Sequence, residues 1–238
     1  MRLPSPLPPQ SRLAFLVLLA ASLVAAGALY AFPQWDLAAA SVFADPSPRI
    51  ASAQWWWVQA INDWAPFVFR VFLGLCFVVW LLSFWRAAWR RWRLPLIFIV
   101  LSGILGPGLM VGVVKEQFNR ARPYQVQEFG GTARFTRAAQ VSDQCDVNCS
   151  FVSGHVACGF FFSTLLLVLP HQRKRWLLLG TAAGLVIGFA RMSAMGHWLS
   201  DVLWAYPVTL LSSWLVWWLL QFWFQRSTAS AQPSTTVG

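Results

Sequence analysis

Charged residues are scarce in this chain. Asp, Glu, Lys and Arg make up 11% of its 238 residues, whereas 58% are hydrophobic and the mean hydropathy is +0.55. So little polar surface cannot cover a globule in water, which excludes a soluble domain. The sequence has only four cysteines and three histidines, and no second Cys or His pair at zinc spacing accompanies Cys145 and Cys149. We therefore expect an integral membrane protein without a structural zinc ion.

Long apolar runs dominate the sequence. A helix needs about 20 apolar residues to cross roughly 30 Å of hydrocarbon. Runs of this kind lie near residues 13–32, 66–85, 94–114, 151–170, 176–195 and 202–223. The sequence thus predicts an all-α bundle of six transmembrane helices within residues 13–225. Residues 1–12 and 226–238 are predicted to be disordered cytoplasmic ends.

The basic residues are distributed unevenly along these predicted helices. Lys and Arg near the ends of spans favour the cytoplasmic side, and an even number of spans puts both termini on one side. With the termini inside, ten cations and no acidic residue are cytoplasmic, and all eight Asp and Glu residues lie outside. This arrangement predicts a multi-pass protein of a bacterial inner membrane. The net charge of +10 then reflects an inner face near anionic lipids, and no nucleic-acid partner is expected.

The first apolar run has a second interpretation. Arg2 and Arg12 precede it and Ala26-Gly27-Ala28 lie at its end, as in a cleavable signal peptide. The run is close to the length of a full span, so we expect it to be retained as the first helix.

Three short segments contain residues suited to phosphate chemistry. Their cations could bind a phosphoryl dianion, and their two histidines could supply a nucleophile and a proton donor. His197 and Asp201 are four residues apart and so share one helical face. The candidate residues are Lys115 and Arg122 in the first segment, Ser153, Gly154 and His155 in the second, and Arg191, His197 and Asp201 in the third. All three segments lie at ends of predicted spans, on the side of the membrane opposite the predicted cytoplasmic termini.

The spacings of these residues resemble the type 2 phosphatidic acid phosphatase family. Lys115 is followed by six residues and Arg122-Pro123, and Arg191 is followed by five residues, His197, three residues and Asp201. The order Lys-Arg-Pro, Ser-Gly-His, Arg-His-Asp also matches. Two positions differ: Val152 stands where the family usually has Pro, and Ala190 where it usually has Ser. The loss of a hydroxyl at Ala190 removes any hydrogen bond that such a Ser would make.

The resemblance implies a role for each residue. His197 would attack phosphorus to form a phosphohistidine, His155 would protonate the leaving oxygen, and Asp201 would orient His197. The phosphate would be bound by Lys115, Arg122, Arg191, Ser153 and Gly154. The three cations would neutralise the phosphate, so neither a metal nor another cofactor is expected. Asn119 and Arg120 lie at variable positions of the first motif and are not counted among the predicted site residues.

Cys145 and Cys149 precede the Ser-Gly-His motif on the predicted outer side. An oxidising periplasm would permit a disulfide between them. Free thiols and a metal site are the alternatives.

A site at the outer bilayer surface suits a membrane lipid substrate, because the phosphate lies at headgroup depth while the tail stays between helices. Residues 145–155 look like those of lipid A 1- or 4′-phosphatases, which favours lipid A over undecaprenyl diphosphate. A lipid phosphotransferase would use the same residues. A non-catalytic lipid-binding protein would instead tolerate His197→Ala. The oligomeric state is not predicted.

Overall fold

The computed structural model describes residues 8–44 and 51–229. This part of the chain is helical, with one isolated bridge between Val126 and Ala133. The α-helices are α1 (Pro9–Ala31), α2 (Gln34–Ser41), α3 (Trp56–Leu82), α4 (Arg93–Gly103), α5 (Val111–Phe118), α6 (Gly154–Phe160), α7 (Arg173–Ser193) and α8 (Leu199–Ala229). α1 and α8 extend into the predicted disordered ends. Residues 1–7 and 230–238, the rest of those ends, lie outside the described residues.

Five helical segments in the described ranges are long and apolar enough to cross a membrane. They are Pro9–Ala31, Trp56–Leu82, Ala87–Gln125, Pro170–Ser193 and Leu199–Trp223. The predicted all-helical, multi-pass membrane architecture is thereby confirmed. The fourth predicted span, residues 151–170, differs from the prediction. Only Gly154–Leu167 is helical and apolar there, and its second half is a 3₁₀-helix.

The short segment is surrounded by protein. Phe160, Phe161 and Leu166 are fully buried in the main core. Phe160 stacks on Tyr206 of α8 with ring centroids 4.0 Å apart. Hydropathy alone could not distinguish this buried segment from a lipid-facing span, because both are apolar.

Glycines on one face of α7 allow it to pack closely against α6. A Cβ atom added at Gly180 would lie 2.0 Å from the backbone nitrogen of Ser163, and one at Gly184 would lie 2.1 Å from the ring of Phe160. Gly188 continues the same four-residue spacing towards α8. Small residues permit such close approach between membrane helices. The packing brings the end of α7 near the beginnings of α6 and α8.

A π-helical segment, Ile104–Met110, joins α4 to α5. Pro107 lies within it and cannot donate the ordinary helical hydrogen bond, which accounts for the wider turn. The segment packs against α8, and a Cβ atom added at Gly106 would lie 3.4 Å from Ser212. α5 then ends at Asn119, whose φ of 44° turns the chain into the long loop before α6.

Candidate active site

The third motif spans the turn between α7 and α8, with Arg191 near the end of α7 and His197 in the turn itself. Met195 has a φ of 52° in this turn, and α8 begins at Leu199. Asp201 is completely buried in the first turn of α8, where its Oδ2 accepts a hydrogen bond from the backbone N–H of Trp198 at 2.9 Å. The Nδ1 atom of His197 lies 3.4 Å from the same oxygen. If Nδ1 carries the proton, Nε2 is left with the lone pair.

Arg120 holds the other oxygen of Asp201. Its Nη1 donates to Asp201 Oδ1 at 2.8 Å and to Ser200 Oγ at 2.7 Å. Its Nη2 donates to Asp36 Oδ2 at 2.7 Å, and its Nε donates to the carbonyl of Thr136 at 2.9 Å. The arginine is 1% exposed and both carboxylates are 0% exposed. A buried charge of this kind needs complete pairing, because an unpaired one would lower the stability of the fold by about 3–5 kcal/mol.

Asp36 brings the short helix α2 into this network. Its Oδ1 accepts from the backbone N–H of Ser200 at 2.8 Å, and its Oδ2 accepts from the hydroxyl of the same residue at 2.5 Å. Burial raises the pKa of Asp36, and the neighbouring Arg120 opposes this rise. The Arg120 guanidinium also lies over the ring of Trp198, 5.2 Å from its centroid. We call Asp36, Arg120, Ser200 and Asp201 the buried ion network.

The cations of the first motif are fixed by backbone carbonyls. Lys115 Nζ donates to the carbonyl of Cys149 at 2.7 Å. Arg122 donates to the carbonyl of Asn148 from both Nε and Nη2, at 3.1 and 2.8 Å, and from Nη1 to the carbonyl of Gly196 at 3.1 Å. Neutral carbonyls orient these side chains without neutralising them. Neither cation forms an ion pair with a carboxylate in the described part of the chain.

Two of these carbonyls, those of Asn148 and Cys149, belong to a small covalent loop. Cys145 and Cys149 are joined by a disulfide, with their Cα atoms 5.6 Å apart. Asn148 lies inside the loop with a φ of 53° and presents both its carbonyl and its side-chain oxygen to Arg122.

The second motif opens α6. Ser153 donates its backbone N–H to the carbonyl of Asp201 at 3.2 Å. Its hydroxyl is buried and has no hydrogen-bond partner among the described residues. At Gly154, a Cβ atom would lie 3.3 Å from Val111, so the absence of a side chain keeps this helix start open. His155 Nε2 lies 3.0 Å from the carbonyl of Asn62, to which it must donate because a carbonyl only accepts.

Asn62 of α3 also contacts the third motif. Its side-chain oxygen accepts from Arg191 Nη1 at 2.7 Å. The Nε of the same arginine is buried without a partner in the described parts of the chain. A Cβ atom added at Gly196 would lie 2.7 Å from Arg191 Nη2, so a side chain at this position would displace the guanidinium from where it lies.

All eight residues predicted from the motifs lie together at one end of the bundle. Lys115 interacts electrostatically with Arg122 and Arg191, and His155 interacts with the same three cations. Burial lowers the pKa of His197 well below its ordinary value, with Arg191 and Lys115 adding to this effect and Asp201 opposing it. His197 is therefore neutral at pH 7.

Within residues 8–44 and 51–229, no three His, Cys, Asp or Glu side chains form a cluster that could hold a metal ion.

Residues 92–225 match the PAP2 superfamily, and this range includes all three motifs. The chain belongs to the PAP2 superfamily. The family predicted from the motif spacing is thus confirmed, and the protein is a membrane lipid phosphatase of this superfamily.

Two similar proteins are lipid A 4′-phosphatases. That of Francisella tularensis subsp. novicida is 30% identical over 194 residues, which are 79% of this chain and 87% of that protein. That of Rhizobium leguminosarum is 35% identical over 144 residues, which are 56% of this chain and 62% of that protein.

The fold is also similar to a solved structure of the superfamily. The crystal structure of a transmembrane PAP2-type phosphatidylglycerolphosphate phosphatase from Bacillus subtilis has a TM-score of 0.52 and is 18% identical. The likeness covers 89% of this chain and 96% of that one. At this identity it shows a shared fold only.

Several residues that contact the motifs, among them Arg120, Asp36 and Asn62, were not predicted from the sequence. Arg120 was placed at a variable motif position, and Asp36 and Asn62 lie in helices without a motif. A sequence signal exists only for Arg120, which is one of five cations between residues 115 and 150. Its partners are the carboxylates of Asp36 and Asp201.

Proposed function

We propose that this PAP2 phosphatase removes a phosphate from lipid A, at the 4′ position. The observation that carries the proposal is the Francisella relative, because its similarity extends over 79% of this chain and 87% of that lipid A 4′-phosphatase. The cationic site supports it, since Lys115, Arg122 and Arg191 suit a phosphate monoester dianion.

In the proposed first step, His197 Nε2 attacks phosphorus and the bond from phosphorus to the sugar oxygen breaks. Asp201 accepts from Nδ1 and thereby aims Nε2 at the substrate, while Arg120 fixes Asp201. His155, protonated, gives a proton to the leaving oxygen. The products are a phosphohistidine and the lipid alcohol. Asp201 stabilises the charged imidazole without taking its proton.

In the second step, His155 accepts a proton from water and the resulting hydroxide attacks the phosphohistidine. The bond from phosphorus to His197 breaks, and inorganic phosphate leaves. Throughout, the three cations and the unpartnered Ser153 hydroxyl bind the phosphoryl oxygens, whose charge is spread in the transition state. Since three cations neutralise that charge, the mechanism uses no metal ion.

For the topology, we propose six membrane passages, with Gly154–Leu167 as a short fourth passage enclosed by its neighbours. The basic turns around Arg90 and Lys174 would lie in the cytoplasm together with both termini. The site is at the opposite end of the bundle, so with this orientation it would face the periplasm from the inner membrane. Lipid A would reach it laterally within the outer leaflet.

The test is release of inorganic phosphate from lipid A by the purified protein in detergent and EDTA. We expect release by the wild type and by His171→Ala, because His171 is exposed in the turn before α7 and takes no part in the site. His197→Ala should release at least about 10³-fold less. Activity that chelator abolishes and a divalent ion restores would contradict the metal-free mechanism. Release only from undecaprenyl diphosphate, or phosphate transfer to a lipid acceptor, would contradict the proposed reaction.

A further inference from the structure

An apolar groove runs along the membrane side of the site between α3, α6 and α7. It has a volume of about 570 Å³. Side chains from all three helices line it, among them Ile61, Val68, Phe72, Cys158, Phe162 and Ile187. Every residue that lines the groove is uncharged. The lining therefore suits an apolar ligand such as a hydrocarbon chain.

We propose that the groove binds one acyl chain of the lipid whose phosphate occupies the cationic site. This inference rests on the proposed function as a lipid phosphatase and adds a determinant of chain length. Its occupant is the substrate's own chain. A surrounding bilayer lipid that fills the groove without regard to its headgroup is the alternative that the test must exclude.

The groove is continuous with the site on each of its three helices. Ile61 of α3 precedes Asn62, which contacts both His155 and Arg191. On α6, Cys158 lies three residues after His155, and on α7, Ile187 lies four residues before Arg191. Residues three or four apart share a helical face and are separated by about 4.5–6 Å along the helix axis. The apolar lining thus begins one turn below the groups that would hold the phosphate.

The dimensions of the groove fit one chain within one leaflet. Its lining on α3 extends from Ala60 to Phe72, which corresponds to about 18 Å along the helix axis. One leaflet of a hydrocarbon core about 30 Å thick is about 15 Å deep. The back of the groove is closed where α6 meets α7, since a Cβ atom added at Gly159 would lie 2.7 Å from the backbone of Gly184.

The opposite side of the groove is open to the bilayer. Its rim consists of Trp64, Val68 and Val186, which are 60%, 57% and 56% exposed. A chain could therefore enter sideways from the membrane while its headgroup reaches the cations at the bundle end. On this path the acyl chain stays within the hydrocarbon of the membrane.

The proposal is tested with lipid A analogues that carry a 4′ phosphate and acyl chains of six to sixteen carbons. For the wild type we expect kcat/KM to rise with chain length. Ala65→Trp, which fills the groove, should lower the ratio of long-chain to short-chain kcat/KM about tenfold. Val78→Trp is the matched control, because Val78 lies on α3 outside the groove lining and is 50% exposed. An unchanged ratio in Ala65→Trp would overturn the proposal.

Val68→Trp at the exposed rim provides a second variant should Ala65→Trp fail to fold. A binding measurement separates this proposal from the proposed reaction. Phosphatidic acid with a photoreactive group in the middle of one chain should crosslink to the groove residues of His197→Ala, and excess lipid A should compete. Equal crosslinking by phosphatidylcholine would identify a bilayer lipid and overturn the groove proposal. Groove crosslinking without phosphate release by the wild type would contradict only the proposed reaction.

Discussion

The two sides of the active site differ in how completely their polar groups are paired. On one side, the buried ion network satisfies Arg120 with two carboxylates, a hydroxyl and a carbonyl. On the other side, Arg191 makes one side-chain contact, with Asn62, and leaves its Nε without a partner in the described ranges. The hydroxyl of Ser153 is likewise buried and unpaired within those ranges.

This difference distinguishes the residues that hold His197 in position from the residues that would bind the phosphate. A fully paired network keeps Asp201 in one position, and thus orients His197 before a substrate arrives. The unpaired donors around Arg191 would be satisfied by phosphoryl oxygens. Substitutions on the paired side should therefore affect both folding and activity, whereas substitutions on the open side should affect activity alone.

Arg120→Ala should have the largest effect. It leaves the carboxylates of Asp36 and Asp201 buried without their cation, which should lower the free energy of unfolding by about 3–5 kcal/mol and reduce phosphate release. Thermal unfolding in detergent and phosphate release measure the two effects. Arg134→Ala is the control, because Arg134 lies exposed in the same loop. Unchanged unfolding in Arg120→Ala would mean that the network does not support the site.

Arg191→Ala should reduce kcat/KM about 10²-fold, because it removes a cation from the phosphate site. Its thermal unfolding should change little, since Arg191 is repelled by Arg122 and has no carboxylate partner in the described residues. The two assays used for Arg120→Ala check both effects. A destabilisation as large as that of Arg120→Ala would remove the distinction between the two sides.

Reduction of the disulfide between Cys145 and Cys149 should lower kcat/KM several-fold, about 1 kcal/mol in transition-state binding. The loop that it closes presents the carbonyls of Asn148 and Cys149 to Arg122 and Lys115. The effect should appear mainly in KM. Wild-type protein is assayed with and without dithiothreitol, beside Cys145→Ser as a variant that should no longer respond. A wild type indifferent to reductant would show that the carbonyls hold their positions without the bond.

The smallest effect concerns pH. Burial lowers the pKa of His197, so the neutral imidazole that acts as nucleophile persists at pH values below 6.5. The acid limb of kcat/KM against pH, which reports the pKa values of the free enzyme, should therefore lie below pH 6.5. The groups that act on His197 are Asp201, Arg191 and Lys115, so Lys115→Met should shift this limb upward by removing one cation. A wild-type limb above pH 6.5 would contradict a buried, neutral His197.

The sequence predicted the motif residues because each motif is local. Lys115 and Arg122, or His197 and Asp201, are recognisable from spacing along one short segment. Hydropathy likewise predicted the apolar spans, but it could not show that Gly154–Leu167 is shorter and enclosed by protein. The pairing of Asp36 with Arg120 joins residues 84 positions apart, and that of Asn62 with Arg191 joins residues 129 positions apart. Such contacts depend on helix packing and leave no periodic signal in the sequence.

The most direct test of the account is to trap the covalent intermediate. Lipid A labelled with ³²P at the 4′ position is mixed with enzyme and quenched with alkali within milliseconds, since phosphohistidine is the expected species. We expect label on His197 in the wild type, stronger label in His155→Ala if release of phosphate is slowed more than its transfer, and none in His197→Ala. Phosphate release from the wild type with no labelled histidine, or undiminished release by His197→Ala, would contradict it.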